Sequence, residues 1–329
     1  MKKSIFIIST IIIFLSLLTP FLSQRCNKND EKVLFQIKKS LGNPYLLASW
    51  QKTLDCCEWY NIECDPNTGR IIALTIFSGN ISGQIPRQVG DLPYLQTLVF
   101  RKLTNLTGEI PSEITKLTHL TMLRLSWTNL SGPVPSFLSQ LTNLDFLDLA
   151  FNDLTGTIPP ELATLTKLNA LHLDRNKLTG AIPESFGTFT GTVPDLYLSH
   201  NQLTGDVPKS LGYLNFTTID FSRNQLTGDI SMFFGANKTI QIADFSRNNF
   251  LFNLSEVVFP ASLTSLDLNH NKIYGSLPGT LTGLSLQYLN VSYNRLCGKI
   301  PQGGDLQKFS NTEYFHNRCL CGSPLPACS

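Results

Sequence analysis

The stretch Leu147-Asp148-Leu149-Ala150-Phe151-Asn152-Asp153-Leu154-Thr155-Gly156-Thr157-Ile158-Pro159 is answered 24 residues later by Leu171-His172-Leu173-Asp174-Arg175-Asn176-Lys177-Leu178-Thr179-Gly180-Ala181-Ile182-Pro183. Both obey one pattern, L-x-L-x-x-N-x-L-x-G-x-I-P. Working outward, its closing proline recurs as Pro86, Pro111, Pro135, Pro159, Pro183, Pro208, Pro278 and Pro301, with Ser231 and Ser255 at the proline place in between. The steps run from 23 to 25 residues and define ten units over about residues 71–301. A fixed period of this length is the mark of a stacked architecture in which each unit buries its apolar side against its neighbours.

Physical reasons follow for each conserved type in the pattern. In L-x-L the leucines point one way and the residue between them the other, the period of two of a strand. Stacked strands predict a parallel sheet with about 4.8 Å between neighbours. Asn152, Asn176, Asn201, Asn224, Asn248, Asn271 and Asn294 fall where the chain turns inward, and their amides can satisfy buried backbone groups. Proline fixes φ and withdraws a donor, which places the I-P segment on the outer side. The period and leucine spacing identify leucine-rich repeats. The expected fold is an α/β solenoid: a right-handed leucine-rich-repeat superhelix of ten repeats of ~24 residues, with a concave parallel β-sheet and disulfide-stapled caps at both ends.

The ends carry the other signals. Lys2 and Lys3 precede an apolar run from Ile5 through Leu18, then Pro20 and Ser23. This is the layout of a cleavable signal peptide over residues 1–23. The alternative, a membrane anchor, needs about 20 apolar residues, and the run falls short. Residues 24–70 form the N-terminal cap, with helical apolar spacing in Glu31 to Ser40, and residues 302–329 form the C-terminal cap. Eight cysteines sit only in these caps, as in a secreted, disulfide-bonded chain. Each group of four allows three pairings. Local pairs are the simplest: Cys26–Cys56, Cys57–Cys64, Cys297–Cys319 and Cys321–Cys328. A metal site needs closely spaced tetrahedral ligands, and no such spacing is present. Lys plus Arg is 26 and Asp plus Glu 24. There is no basic run, which argues against nucleic acid and anionic membranes as partners.

The cap residues resemble a known family. Leu34, Ile37-Lys38-Lys39, Leu41-Gly42-Asn43-Pro44, Ser49-Trp50 and Asp55-Cys56-Cys57 resemble the N-terminal cap of plant polygalacturonase-inhibiting proteins. Leu296-Cys297-Gly298, Ile300-Pro301-Gln302-Gly303-Gly304, Leu306-Gln307, Phe309 and Cys319-Leu320-Cys321-Gly322-Ser323-Pro324-Leu325-Pro326-Ala327-Cys328 resemble their C-terminal cap more closely. The resemblance covers 24–329. It implies a secreted monomer of the plant cell wall and apoplast that binds fungal, and sometimes insect, endopolygalacturonases and limits pectin breakdown. After signal cleavage it predicts no membrane association, since a receptor of this class would continue into a span and this chain stops at Ser329.

The strand positions can be written as rows. Thr75, Val99, Arg124, Asp148, His172, Tyr197, Asp220, Asp244, Asp267 and Asn290 lie between the two core positions. Two steps on comes Phe77, Arg101, Ser126, Ala150, Asp174, Ser199, Ser222, Ser246, Asn269 and Ser292, also expected to face outward. The next row is Ser78, Lys102, Trp127, Phe151, Arg175, His200, Arg223, Arg247, His270 and Tyr293. Asp148, Asp174, Asp220, Asp244 and Asp267 therefore form an acidic cluster flanked by Arg175, Arg223 and Arg247, with His172, His200 and His270 near. Like charges on neighbouring strands repel, a cost that function could justify by steering a basic cleft rim. The bland alternative is that the arginines neutralise the acids on a solvated face. The family's acidic pocket implies Asp148, Asp174 and Asp220, and Gln241, in the first outward position of repeat eight, keeps the type important in the family; Asn169, at the corresponding place in repeat five, is an ordinary polar residue that family members vary. The predicted protein-binding residues are thus Asp148, Asn169, His172, Asp174, Arg175, Asp220, Arg223, Gln241, Asp244 and Arg247. Thr190-Gly191-Thr192-Val193-Pro194 departs from the family pattern, and Pro194 is placed to bend the entry to the sixth strand.

Other chemistries are poorly served. Asp148 beside His172 is half of a triad, yet no serine or cysteine nucleophile stands in line. Paired carboxylates such as Asp148 and Asp174 need a walled cleft to cleave glycosides. No catalytic residue and no cofactor is expected. The short Arg175–Arg247 row admits cell-wall pectin as a second partner. A peptide- or receptor-binding recognition protein shares the repeats but usually lacks this C-terminal cap, and an ice binder wants a flat, uncharged row. Sequons at Asn80, Asn105, Asn129, Asn215, Asn237, Asn253 and Asn290 are glycosylation candidates, of which Asn290, inside a strand, is the least accessible.

Overall fold

The structure, a computed structural model, describes residues 26–191 and 193–328. The expected signal peptide, 1–23, and Thr192 lie outside the described residues. Among the described residues, the main path of the long sheet has ten parallel strands after an antiparallel β1 (Ile62–Cys64). They are β2 (Ile71–Phe77), β3 (Thr97–Gly108), β4 (Met122–Pro133), β5 (Phe146–Asp148), β6 (Ala170–His172), β7 (Asp195–Tyr197), β8 (Thr218–Asp220), β9 (Ile242–Asp244), β10 (Ser265–Asp267) and β11 (Tyr288–Asn290). They pair strictly in chain order, each hydrogen-bonded to the next. We number the rungs one to ten from β2. The fold is the leucine-rich-repeat solenoid, with a long parallel sheet on one side and short 3₁₀ turns on the other.

Those turns begin where the prolines predict. Pro86, Pro111, Pro135, Pro159, Pro183, Pro208 and Pro278 each precede a 3₁₀ helix of five residues. Proline presets the backbone there and its missing donor is not needed at a helix start. At the serine place the turns shorten to Ser231–Phe233 and Leu254–Glu256. The leucine positions of every rung are fully buried. On rungs seven and eight phenylalanine takes core places that leucine fills on most other rungs. Phe221, Phe233, Phe234, Phe245 and Phe250 interlock, mostly edge to face at 5.5–6.2 Å, the geometry that aromatic quadrupoles favour.

The asparagine row forms a ladder through the core. Asn176 Nδ2 donates to the carbonyls of Leu149 on the preceding rung (2.9 Å) and Leu173 on its own (3.1 Å), while its Oδ1 accepts from Leu154 N–H at 3.0 Å. Asn152, Asn201, Asn224, Asn248, Asn271 and Asn294 repeat the arrangement. The ladder continues into the C-terminal cap, where Asn317 bonds Val291, Tyr314 and Leu296 in the same way.

Both caps close the stack. Helix α1 (Lys28–Ser40) starts at Asn27, whose side chain accepts from Asn29 and Asp30 N–H. Buried Asp30 takes a two-pronged bond from Arg70 (2.8 and 2.7 Å) and a third from Ile71 N–H, which clips α1 to the first parallel strand. The disulfides are Cys26–Cys56, Cys57–Cys64, Cys297–Cys319 and Cys321–Cys328. The edge of β11 is covered by Glu313 and Phe315, whose carbonyls accept from Val291 and Tyr293.

Candidate protein-binding face

The row between the core positions is in register throughout. Arg124 faces Asp148, Asp148 faces His172, His172 faces Tyr197, Tyr197 faces Asp220, and Asp220, Asp244, Asp267 and Asn290 follow as direct partners. The second row departs from expectation. Ser126, Ala150, Ser199, Ser222, Ser246, Asn269 and Ser292 are buried rather than outward-facing. The cause is local. One Oδ1 of Asp148, Asp220, Asp244, Asp267 and Asn290 accepts the backbone N–H two residues on. Ser222 and Ser292 add hydroxyl bonds of 2.7 Å to the same atoms. Small second-row side chains thus tuck under the first row, and only Phe77, Arg101 and Asp174 escape burial.

The first-row acids therefore have a local duty before any partner arrives. Asp148 is the most committed: its Oδ2 receives Arg124 Nε at 2.8 Å and Ser126 Oγ at 3.0 Å, and it is 6% exposed. Asp267 Oδ2 accepts Tyr288 Oη at 3.0 Å. Asp174, Asp220 and Asp244 are half-buried, and each has a carboxylate oxygen without a hydrogen bond among the described residues. Burial pushes the Asp174 carboxyl up to about 6, with Asp148 adding to it. Burial likewise raises Asp244 to about 6, with Asp267 and Asp220 contributing. Asp267 is also raised, by burial. His172, His200 and His270 are all lowered, first by burial. His172 stacks on Tyr197 at 4.2 Å and lies 3.9 Å from Asp174.

The arginines make no direct contact pair with this cluster, though the charges of Arg175 and Arg247 act on Asp174 and Asp267 in opposition to burial. Among the described residues, Arg175, Arg223 and Arg247 make no ion pair and stand exposed. They belong to the third row, in which Ser78, Lys102, Trp127, Phe151, Arg175, His200, Arg223, Arg247, His270 and Tyr293 all have φ of 52–56°. At eight of these rungs, from Ser78 and from Trp127 to His270, the N–H bonds a carbonyl on the next rung, and Tyr293 N–H bonds Phe315 of the C-terminal cap. Left-handed backbone in ten non-glycine residues is costly, and the ladder of bonds is what holds it. Asn169 and Gln241 are exposed, with their backbones in the sheet ladder. Pro194 immediately precedes β7, whose pairing on both sides is unbroken. Sequence reasoning placed Trp127, Phe151, Lys102 and Phe77 in rows without singling them out. Their type at surface positions was the available signal.

The sequons divide by exposure. Asn80, Asn105, Asn129, Asn215 and Asn237 are exposed, and Asn105 Nδ2 donates to Asn80 Oδ1 at 2.8 Å. The Asn253 and Asn290 side chains accept local backbone bonds. No helix of the described residues is long and apolar enough to cross a membrane.

Comparison with known proteins gives a consistent result. Profiles described as "Leucine-rich repeat region", "Leucine rich repeat N-terminal domain" and "Leucine rich repeat" match residues 73–225, 27–65 and 245–296. "Polygalacturonase inhibitor" of Vitis vinifera is 66% identical over 99% of this chain and 99% of its own. "Polygalacturonase inhibitor 1" of Arabidopsis thaliana is 68% identical over 96% of each. Among solved structures, a plant ice-binding protein superposes with a TM-score of 0.92 at 58% identity, covering 93% of this chain and 99% of that one. Identity of this extent, spread from cap to cap, means that the chain belongs to the polygalacturonase-inhibitor family of leucine-rich-repeat proteins.

Proposed function

We propose that the chain inhibits a microbial endopolygalacturonase by binding it across the open face of the long sheet. The observation that carries this is two-thirds identity over the full length to proteins named as inhibitors of that enzyme. The face suits a protein partner. It is wide, in register, and mixes half-buried carboxylates with uncommitted arginines, which fits steering and orientation of a charged cleft. Asp174, Asp220 and Asp244 keep oxygens free for it, Arg175, Arg223 and Arg247 flank them, and Asn169, His172 and Gln241 complete the patch; Asp148 acts through Arg124 as a positioned pair. The protein works outside the cell, in the plant wall, as a monomer and as a binder rather than a catalyst. Fungal enzymes are the first targets, insect enzymes a further class, and pectin a second ligand of the arginine row.

A reducing-end assay on polygalacturonic acid, with mature protein titrated into several fungal endopolygalacturonases, tests this. Dose-dependent inhibition is expected, weakened in an Asp220→Asn, Gln241→Lys variant. Inhibition unchanged in the variant would discard these residues and keep the function. A second reading, a soluble recognition protein, draws on fold similarity to the ectodomain of an Arabidopsis membrane receptor kinase, at a TM-score of 0.73 and 28% identity. It takes first place if no enzyme of the panel is inhibited or bound.

A further inference from the structure

The first five rungs carry a feature independent of the acids. Lys102 Nζ lies 5.5 Å from the Phe77 ring centre and 5.8 Å from that of Trp127. Trp127 and Phe151 stack at 3.9 Å with planes 21° apart, and the Arg175 guanidinium sits 4.8 Å over Phe151. Arg101 lies 5.6 Å over Phe77. The result is one continuous stack, Phe77–Lys102–Trp127–Phe151–Arg175, on consecutive rungs. Phe77 is 43% and Trp127 40% exposed.

Folding does not ask for these side chains. Lys102, Trp127, Phe151 and Arg175 occupy left-handed backbone at φ of 53–56°, where a bulky aromatic is among the least favoured choices. The same position accepts serine on rung one and histidine on rungs six and nine. Nor do they lack order: stacked rings held by cations on either side have little rotamer freedom left to lose on binding. Rigid, exposed Trp with flanking Arg is the composition in which binding energy concentrates.

We infer that this aromatic–cation ladder, centred on Trp127, is the energetic anchor for the protein partner, while the acids of rungs five to nine steer and orient it. This rests on the enzyme-binding reading above. The occupant is a protein surface bearing carboxylates around an apolar recess. Among the described residues no carboxylate pairs with Arg101, Lys102 or Arg175, so the ladder presents unspent positive charge. A saccharide would need a free ring face, and here the ring faces are covered by one another and by cations, which leaves edges to insert.

Binding kinetics by surface plasmon resonance, on a fungal endopolygalacturonase that the wild type inhibits, test the inference. Trp127→Asn suits the left-handed backbone, and Trp127→His installs a residue the chain already uses at this position. Each is expected to lose at least about 30-fold in affinity, through faster dissociation, with melting temperature unchanged or raised. Asp220→Asn with Asp244→Asn is expected to lose less than about 10-fold, through slower association and a shallower salt dependence. Trp127 variants within about threefold of wild type would overturn the anchor alone. A wild type that binds no enzyme of the panel would overturn the enzyme reading and this inference with it.

Discussion

At the scale of single residues, burial separates scaffold from candidate site even where the residue type is the same. Asn176 and Asn169 are both asparagines of the fifth repeat. The first is 8% exposed and spends its whole amide on four backbone groups. The second is exposed and its side chain is free of intramolecular bonds among the described residues. Asn176→Ala strands the Leu154 N–H in the core, while the Leu149 carbonyl keeps Asn152 Nδ2 at 3.0 Å, and is expected to cost about 2–3 kcal/mol. Asn169→Ala should stay within about 0.5 kcal/mol. Urea midpoints of the two variants, measured together, check the contrast, and equal midpoints would refute it. The asparagine row was legible in the sequence because its period and its chemistry point to one role. Its continuation at Asn317 was not, since the cap breaks the leucine spacing that flags the other rungs.

At the scale of the strand and its exit, the acidic row has a structural origin that spacing alone could not reveal. Each aspartate between core positions caps the N–H that the tight left-handed turn would otherwise leave unpaired. The sequence displays the charges; only the backbone path displays what one oxygen of each is doing. The same turn accompanies second-row burial on rungs four and six to ten, where the strand stops at the first-row residue, a point the alternation rule missed. A pH dependence follows. Asp244 rises from 3.8 to about 6 on folding, so between those values the native state holds more protons than the unfolded chain. The sign is therefore that native stability falls as pH rises from about 4 to 6, the reverse of the usual salt-bridged aspartate. Asp244→Asn keeps the Oδ1 that serves Ser246 and removes the disfavoured charge. It is expected to stabilise by about 1–3 kcal/mol at pH 7.5, with the gain shrinking toward zero as pH falls through 6 to 4. Melting temperatures at pH 7.5 and 4.5 test this, and a gain of equal size at both would exclude the charge as its cause.

At the scale of the whole molecule, the solenoid constrains shape and leaves purpose to the surface. This chain superposes on a plant ice-binding protein with a TM-score of 0.92 while sharing its family with inhibitors of an enzyme. One scaffold hosting both is what repeat architecture allows, because each rung's core is fixed and its outward positions are nearly free. The two tasks make opposite demands. Ice presents a regular lattice and calls for a flat array of identical small groups. A protein partner calls for irregular, preorganised anchors and placed charge. On the long sheet here the first row changes residue type at every rung from Arg124 to Asp148 to His172 to Tyr197 before a run of three aspartates, and the third runs through Trp127, Phe151 and Arg175. The short strands past the long sheet are no more regular: Thr155, Thr179, Thr204 and Thr227 share them with Asp153, which pairs with Lys177, and with Asp206. The expectation is that a sample which inhibits an endopolygalacturonase produces no thermal hysteresis and no ice-crystal faceting at the same concentration. Nanolitre osmometry on the sample used for the inhibition assay decides it. Measurable hysteresis would mean that irregular side chains at this backbone spacing suffice for ice, and would locate that activity in the scaffold instead of the surface.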